Sequence, residues 1–413
     1  MKFSELAKYL KRLEATASRI EITKILAELF KESSSQEIDK IVYLSLGALA
    51  PGYKGIVFNL AERMMIKVIA NSSGEKIDKV LAFYKKEGDI GNVAEKLGKK
   101  RGDTGDVSEI YSKLYKVAVD EGEGSQERKI EAMAKILSGL DPLSARFVAR
   151  IPIGKLRLGF SDKTILDALS WMESGDKTAK SELEKVYQLR PDVGFLAKVV
   201  KEKGSKKAGE KVLPEIGTPV LPMLSQRLKS PREMVEKMGE VSVEPKLDGL
   251  RLQIHFGDGK LKAFTRNLNE TSWMFPELKE IKENLNVKEV ILDVEVVGID
   301  EGRKILANFQ TTMTRRRKHE IEGIAAKIPV VFYVFDIILV DGKSLMDKPY
   351  TERRKELERA VKEGKLFRVV EHEITTDAKR ITVLNKKRRG EGLEGIMVKK
   401  VSGAYVPGRT GWR

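Results

Sequence analysis

The sequence contains no cysteine and only three histidines among its 413 residues. The absence of cysteine excludes disulfide bonds, zinc–thiolate sites and cysteine nucleophiles. The histidines, His255, His319 and His372, lie far apart and show no metal-ligand spacing. Carboxylates remain as ligands, so the metals that this chain can hold are hard, oxygen-bound ions such as Mg²⁺.

Long hydrophobic runs are also missing. The longest, Val330 to Val340, is interrupted by Asp336 and is too short to cross a bilayer. The first residues, Met1 to Glu5, lack the apolar core of a signal peptide. We therefore expect an intracellular, cytoplasmic protein without a membrane partner.

Positive charge is abundant, with 77 Lys and Arg against 61 Asp and Glu and a formal net charge of +16. Such an excess favours a polyanionic partner such as nucleic acid. Lysines scattered over solvated helix faces would give the same sum, so charge alone does not identify the partner.

The length predicts two to three domains. Residues 1–212 read as helical: Leu6, Tyr9, Leu10 and Leu13 follow the 3.6-residue period, with Ser4 as the expected N-cap. Residues 201–211 are rich in lysine and predict a linker or exposed loop. From 213 to 413, alternating β-branched residues predict a mixed α/β domain with largely antiparallel sheets, not a doubly wound sheet.

Lys246 is the first candidate for chemistry. It stands between Pro245 and an Asp248-Gly249 turn, and an alternating run, Leu250 to Phe256, follows as a predicted strand. Rigid backbone on both sides is what a lysine nucleophile needs. A neutral amine is the attacking form, and neighbouring cations such as Arg251 and Arg266 favour it. The alternative is an ordinary surface hairpin turn.

Three further groups carry polar side chains on predicted strands. Asp293 and Glu295 share one strand face, which suits a metal or a sugar hydroxyl, although salt bridges to the next strand would also explain them. Phe335 could stack on a purine, with core packing as the alternative. Glu394 and Lys399 suit a metal or phosphate, but point to opposite faces unless a bulge at Gly395 intervenes.

Two patterns are expected to be decoys. The glycines of residues 390–395 match a dinucleotide-binding motif, but they lead into a strand and not into a helix. The basic runs at 315–318 and 386–389 would contact phosphates or lie in solvated loops. No Walker A sequence is present, so an ATP user here is not a P-loop enzyme.

In this order, these groups resemble the motifs of archaeal and eukaryal ATP-dependent DNA ligases. Residues 246–249 resemble the K-x-D-G adenylation motif, and residues 265–267 the arginine motif that follows. Residues 292–297 resemble L-D-G-E-V-V, with Val294 where glycine is usual. Residues 332–338 and 394–399 are similar to F-Y-V-F-D-I-L and E-G-I-M-V-K. Residues 217–224 resemble the opening of the adenylation domain, and Lys155 to Gly159 part of the helical DNA-binding domain.

The resemblance implies a mechanism through a lysine–AMP intermediate, with ATP and Mg²⁺ as cofactors. It implies Lys246 as the nucleophile and Glu295 and Glu394 as metal ligands. The nucleotide-binding residues that it implies, with Glu295 in both sets, are Glu244, Arg251, Arg266, Glu295, Phe335, Lys399 and Arg409. The implied partner is nicked double-stranded DNA, bound by a monomer during replication, repair and recombination. The sequence shows no evident contact for a sliding clamp.

Residues 405–413 resemble the lead-in to the last family motif, whose lysines would follow Arg413. We therefore expect a fragment without the family's OB-fold domain and with impaired nick sealing. Two alternatives stay open: another lysine nucleotidyltransferase, such as an RNA ligase or a capping enzyme, and a DNA-binding fragment without activity.

Overall fold

The computed structural model describes residues 1–99, 105–210, 212–300, 305–306, 315, 323, 325 and 327–408. The chain divides into two units, one of residues 1–187 and 191–212, the other of residues 188–190 and everything from Leu213 onward. Within the described ranges, no helix combines the length and the hydrophobicity needed to cross a membrane.

The first unit is built of helices around one apolar core. Its helices are α1 (Phe3–Glu14), α2 (Arg19–Glu32), α3 (Ile38–Ser45), α4 (Glu62–Ser73), α5 (Ile77–Glu87), α6 (Ile90–Leu97), α7 (Val107–Val119), α8 (Ser125–Ser138), α9 (Pro142–Arg150), α10 (Asp162–Ser174), α11 (Lys180–Leu189, which ends in the second unit), α12 (Val193–Lys203) and α13 (Ser205–Ala208). The periodic residues of α1, from Leu6 to Leu13, are buried in the core as predicted.

Two local predictions for this unit are wrong. Helix α1 begins at Phe3 with Lys2 at its N-cap, so Ser4 lies inside the first turn. The described part of the 201–211 segment, residues 201–210, is largely helical: Ser205 and Ala208 are buried, and the Glu173 carboxylate accepts a hydrogen bond from the Ser205 amide. The lysine-rich composition of this segment suggests an exposed loop, but its two small residues, Ser205 and Ala208, are buried against the core.

The second unit is mixed α/β, as the sequence predicts. Its elements are α14 (Pro231–Met238), β1 (Val241–Lys246), β2 (Leu250–Gly257), β3 (Lys260–Thr265), α15 (Leu278–Ile281), β4 (Val290–Asp300), β5 (Ile305–Leu306), β6 (Val330–Val340), β7 (Lys343–Ser344), α16 (Tyr350–Ala360), β8 (Phe367–Val369), β9 (Glu373–Thr375), α17 (Ala378–Gly390) and β10 (Gly395–Lys400).

The described strands of this unit form two sheets. The smaller has the order β10-β1-β9, and the larger has the order β3-β2-β4-β6-β7, with β5 added to β4 and β8 to β6. The pairs are antiparallel except β6 with β8. One face of the larger sheet carries Leu252, Leu292, Val294 and Phe332 into the core, which leaves its opposite face for polar side chains. Val294 is therefore accommodated as a core residue.

Candidate active site

Lys246 ends strand β1 and lies opposite Gly395 of β10. Strand β1 pairs with β9 and β10, whereas β2 pairs with β3 and β4, so the segment after Lys246 connects two different sheets. The surface hairpin alternative is therefore wrong. The Lys246 ammonium forms an ion pair with the Glu394 carboxylate, and both side chains are about half exposed. Lys246 thus ends a strand of the smaller sheet, just before the segment that leads to the larger sheet, and its side chain remains open to a ligand.

Gly395 explains how Glu394 is directed toward Lys246. Its φ of +144° is a conformation that side-chain-bearing residues rarely adopt. Glu394 lies just before β10, so the alternation of that strand does not apply to it. The irregularity that the sequence requires at Gly395 is present, and it directs Glu394 toward Lys246 while Lys399 lies farther along the strand.

Glu244 is the buried centre of a hydrogen-bond network on β1. Its carboxylate accepts a hydrogen bond from the Tyr350 hydroxyl at 2.7 Å and forms an ion pair with Lys399 at 2.8 Å. The Lys399 ammonium also donates to the Phe335 carbonyl at 2.8 Å and lies 4.9 Å from the Phe335 ring centre. The network therefore places a carboxylate, a cation and an aromatic face side by side.

The polar face of the larger sheet carries the second half of the site. Arg251 and Glu295 lie opposite each other on β2 and β4. Arg251 forms an ion pair with Asp293 at 2.8 Å, donates to the Met223 carbonyl at 2.7 Å, and lies 5.2 Å from the Phe335 ring centre. A salt bridge to the neighbouring strand, the alternative to a metal or sugar contact, therefore explains Asp293, because its carboxylate is paired with Arg251.

Glu295 has a different environment. Its carboxylate accepts the Gly249 amide at 3.1 Å, which connects it to the loop after Lys246. Burial raises the pKa of Glu295 to about 7, against the opposing effects of Arg251 and the Gly249 amide. A carboxyl group that is partly protonated near neutral pH suits a hydrogen bond to a sugar hydroxyl better than it suits a metal ion.

The arginine candidates have different outcomes. Arg266 is exposed and lines a small cavity together with Arg251, Asp293 and Pro219. Arg409 lies outside the described residues. The structure thus brings Lys246 and Glu394 together, and separately Glu244, Lys399, Phe335 and Arg251, with Arg266 at the margin.

Several residues at this site were missed from the sequence. Tyr350 holds Glu244, and Tyr405 donates to Asp293 at 2.6 Å. Arg353 forms a buried ion pair with Asp336 at 2.8 Å. Asp336 interrupts an otherwise apolar strand, and that interruption is a usable signal for a buried partner. Nothing local marks the two tyrosines, because their partners lie more than 100 residues away.

The acidic side chains determine how a metal could bind. Among the described residues, no three acidic or histidine side chains converge as a self-sufficient metal site. Glu394 is the accessible carboxylate beside Lys246. A single carboxylate combined with phosphate oxygens is a usual environment for Mg²⁺, so the residues fit an ion that arrives with a nucleotide.

The loop before α10 has an unusual backbone. Gly154, Arg157 and Gly159 all have positive φ, at 64°, 60° and 73°. Lys155 and Arg157 are about half exposed, although ion pairs to Glu62 and Asp89 hold them. The loop presents two cations on a fixed backbone, as an anion-binding surface would.

Protein-family models match both parts of the chain. Residues 222–413 match the ATP dependent DNA ligase domain, and residues 2–170 match the DNA ligase N terminus.

Curated relatives and solved structures agree with these matches. A DNA ligase 2 of Thermofilum pendens is 37% identical over 99% of this chain and 71% of the relative. A DNA ligase of Pyrobaculum islandicum is 37% identical over 100% of this chain and 72% of the relative. The solved structure named Pmar-Lig_Pre is 18% identical with a TM-score of 0.53, covering 98% of this chain and 76% of that structure, which supports the fold alone.

Proposed function

The chain belongs to the ATP-dependent DNA ligases, and on this premise we propose that Lys246 is the residue that takes AMP from ATP and passes it to DNA. The observation that carries the proposal is the position of Lys246 at the junction of two sheets, beside Glu394 and close in sequence to Glu244. Family membership favours a DNA ligase over an RNA-capping enzyme, since the matched relatives are DNA ligases.

In the first step the neutral Lys246 amine attacks the α-phosphorus of ATP. The new N–P bond forms as the bond to the β-phosphate oxygen breaks, and pyrophosphate leaves with that electron pair. In the second step an oxygen of the 5′-phosphate at a nick attacks the phosphorus of AMP, the N–P bond breaks, and Lys246 leaves as the amine after taking up a proton. In the third the 3′-hydroxyl loses its proton and attacks the 5′-phosphorus, and AMP leaves with the electron pair of the broken P–O bond. Positioning and charge neutralisation supply most of the catalysis in such transfers.

The purine is assigned to the network around Glu244. The Glu244 carboxylate offers an acceptor for the 6-amino group of adenine, and Phe335 offers a face for stacking. The 6-carbonyl of guanine would meet the same carboxylate unfavourably. Tyr350 and Lys399 hold Glu244 in place, so base choice depends on residues from three separate elements.

The sugar and phosphates are assigned to the remaining polar groups. Glu295 would accept or donate a hydrogen bond at a ribose hydroxyl. Arg251, Arg266 and Lys399 would neutralise phosphate charge. Mg²⁺, when bound at Glu394 with phosphate oxygens, would neutralise further charge and compete with the Lys246 ammonium for this carboxylate. Arg409 is proposed as a further phosphate contact.

The DNA partner is assigned to both units. We place duplex phosphates at the positive-φ loop from Gly154 to Gly159, where Lys155 and Arg157 are available. Phosphate contacts position a protein on duplex without reading its sequence. Nicked duplex as the substrate, and a monomer as the acting form, are parts of this proposal.

The proposal is tested by measuring the intact mass of the chain after incubation with ATP and Mg²⁺. The wild type should gain one AMP, and Lys246→Arg should gain none. Lys237→Arg, a change at an exposed lysine of α14, is the matched control and should gain AMP as the wild type does. An adduct on Lys246→Arg would show that another residue is the nucleophile.

A second experiment tests the nucleic acid. The AMP-loaded chain is offered nicked DNA and nicked RNA duplexes of the same sequence, and AMP on the 5′-phosphate is measured. Transfer to DNA is expected to be faster. Equal or faster transfer to RNA would favour an RNA ligase.

A further inference from the structure

Helix α17 carries more positive charge than its acidic neighbours balance. Its sequence, residues 378–390, contains six Lys and Arg residues and no acid. Two of the cations have partners outside the helix: Arg380 pairs with Glu373, and Arg388 pairs with Glu371 and Glu391. The other four form no ion pair among the described contacts and are exposed: Lys379, Lys386, Lys387 and Arg389. For residues 386–389 the sequence leaves phosphate contact and a solvated loop open; these residues belong to the helix, so the loop alternative is wrong.

The other long basic helices of this unit are different. In α14, Arg232 and Lys237 pair with Glu236 and Glu233 four residues away. In α16, Arg354 and Arg359 pair with Glu358 and Glu356. Such pairs stabilise a helix, and like charges at the same spacing destabilise it by similar amounts. The helix dipole favours the cations of the last turn, but Lys379 and Lys386 lie outside that turn and have no acidic residue three or four positions away.

Helix α17 also has a defined relation to the active site. Its buried residues, Ile381 and Leu384, pack with Val241 and Val243 of β1, on the strand face opposite Glu244. At its last turn, the Arg389 guanidinium and the Asn385 side chain lie next to Gly395, which pairs with Lys246. The C-terminal end of α17 therefore lies near the end of the sheet where Lys246 stands, while the helix covers the sheet face opposite Glu244.

We propose that the exposed face of α17 is a second DNA-contacting surface, which holds backbone phosphates of the substrate duplex outside the face of the sheet that carries Glu244 and Lys246. From Lys379 to Arg389 the helix rises about 15 Å, and one DNA strand carries about four phosphates along that length. Lys379 lies near one end of this span and Lys386, Lys387 and Arg389 lie near the other, so the cations would reach phosphates at both ends. The inference rests on the proposed function, because it presumes that DNA is the substrate.

The test compares three forms of the full chain on a nicked DNA duplex over a range of salt concentrations. One variant carries Lys379→Gln, Lys386→Gln, Lys387→Gln and Arg389→Gln. The control carries Lys343→Gln, Lys355→Gln, Lys362→Gln and Arg368→Gln, at exposed cations of β7, α16, the segment after α16, and β8, none of which belongs to the smaller sheet. Both variants change the net charge equally.

The α17 variant should bind nicked DNA at least about tenfold more weakly at low salt. Its slope of log affinity against log salt should be shallower by about three to four, at about 0.9 per lost phosphate. The control should keep the wild-type slope. Because the substitutions remove both charge repulsion and favourable interactions with the helix dipole, the α17 variant should melt close to the wild type. A third variant, with Lys379→Arg, Lys386→Arg and Lys387→Arg, keeps the charge and should keep the affinity.

Several results would overturn the inference. One is an unchanged slope in the α17 variant, and another is an equal loss in the control variant, which would make the effect one of net charge. If the α17 variant loses AMP uptake but retains its affinity for DNA, the cations contact the triphosphate of ATP and not DNA. If the wild type fails to bind DNA while still accepting AMP, the DNA part of the proposed function fails, and the inference fails with it.

Discussion

Glu244 shows how a single buried side chain is kept in place for recognition. It is 3% exposed, yet its charge is compensated by Lys399 and by the hydroxyl of Tyr350. A buried carboxylate without such partners would cost several kcal/mol. The two partners therefore stabilise a fixed acceptor inside the fold, and they determine where it points.

Tyr350→Phe tests this positioning role. Removing the hydroxyl leaves one oxygen of Glu244 without its donor, which should cost about 1–3 kcal/mol of stability. ATP should bind about tenfold more weakly, with reduced preference over GTP, because the carboxylate loses its orientation. AMP uptake is measured against nucleotide concentration. Tyr115→Phe, at a tyrosine of the helical unit, is the control, and equal behaviour of the two variants would argue against the role.

Glu295 gives a pH-dependent prediction. Its pKa rises from 4.5 to about 7 on folding, so the folded state binds a proton that the unfolded state has released. Stability from this group is fully present below about pH 4.5 and is lost as pH rises through about 7. The loss is on the order of 3 kcal/mol. Urea unfolding between pH 5 and 8 should show this fall in the wild type and not in Glu295→Gln; parallel curves would contradict it.

Strand β10 depends on one glycine at its start. At Gly395 a Cβ atom would lie 2.9 Å from the Asn385 side-chain oxygen, and φ is +144°. Backbone strain of this kind costs about 1–3 kcal/mol.

Gly395→Ala should therefore displace Glu394 from Lys246 and slow AMP uptake by at least about tenfold. Gly390→Ala is the matched control, because nothing lies within 4 Å of the position that its Cβ would take and its φ is not positive. Mass spectrometry over time measures the uptake. Normal uptake by Gly395→Ala would show that the geometry at this residue is not needed.

Helix α16 is fastened to β6 by a buried ion pair. Arg353 donates twice to Asp336 and also to the carbonyls of Lys348 and Gly403. Arg353→Met leaves the Asp336 carboxylate buried and unpaired, which should cost about 3–5 kcal/mol in thermal or urea unfolding. Arg359→Met, at an exposed pair on the same helix, should cost less than about 1 kcal/mol. Similar losses in both variants would contradict this difference.

The elements differ in how well the sequence predicts them. Strands β2, β4 and β6 are found where alternation and apolar runs place them, because one face of each is continuously apolar. Strand β3 was missed, since its lysines at 260 and 262 are exposed and only Ala263 and Phe264 are buried. The ion pair of Lys246 with Glu394 joins residues almost 150 positions apart, and no local pattern encodes such contacts.

At the scale of the whole chain, the net charge of +16 should appear as strong salt dependence. Log affinity for nicked duplex should fall linearly with log salt, with a slope of about −0.9 for each phosphate neutralised. Because the proposed contacts at the Gly154–Gly159 loop and at α17 involve several cations, a slope of about −4 or steeper is expected. Fluorescence anisotropy with labelled DNA measures it, and a flat response would contradict phosphate binding.

Locating the AMP on the chain tests the assignment of the nucleophile without any variant. After incubation with ATP and Mg²⁺, the protein is digested with trypsin and its peptides are sequenced by mass spectrometry. A modified Lys246 resists cleavage, so we predict one AMP on the uncut peptide Met238–Arg251. AMP on any other lysine, with this peptide cut after Lys246, would contradict the role of Lys246 as the nucleophile.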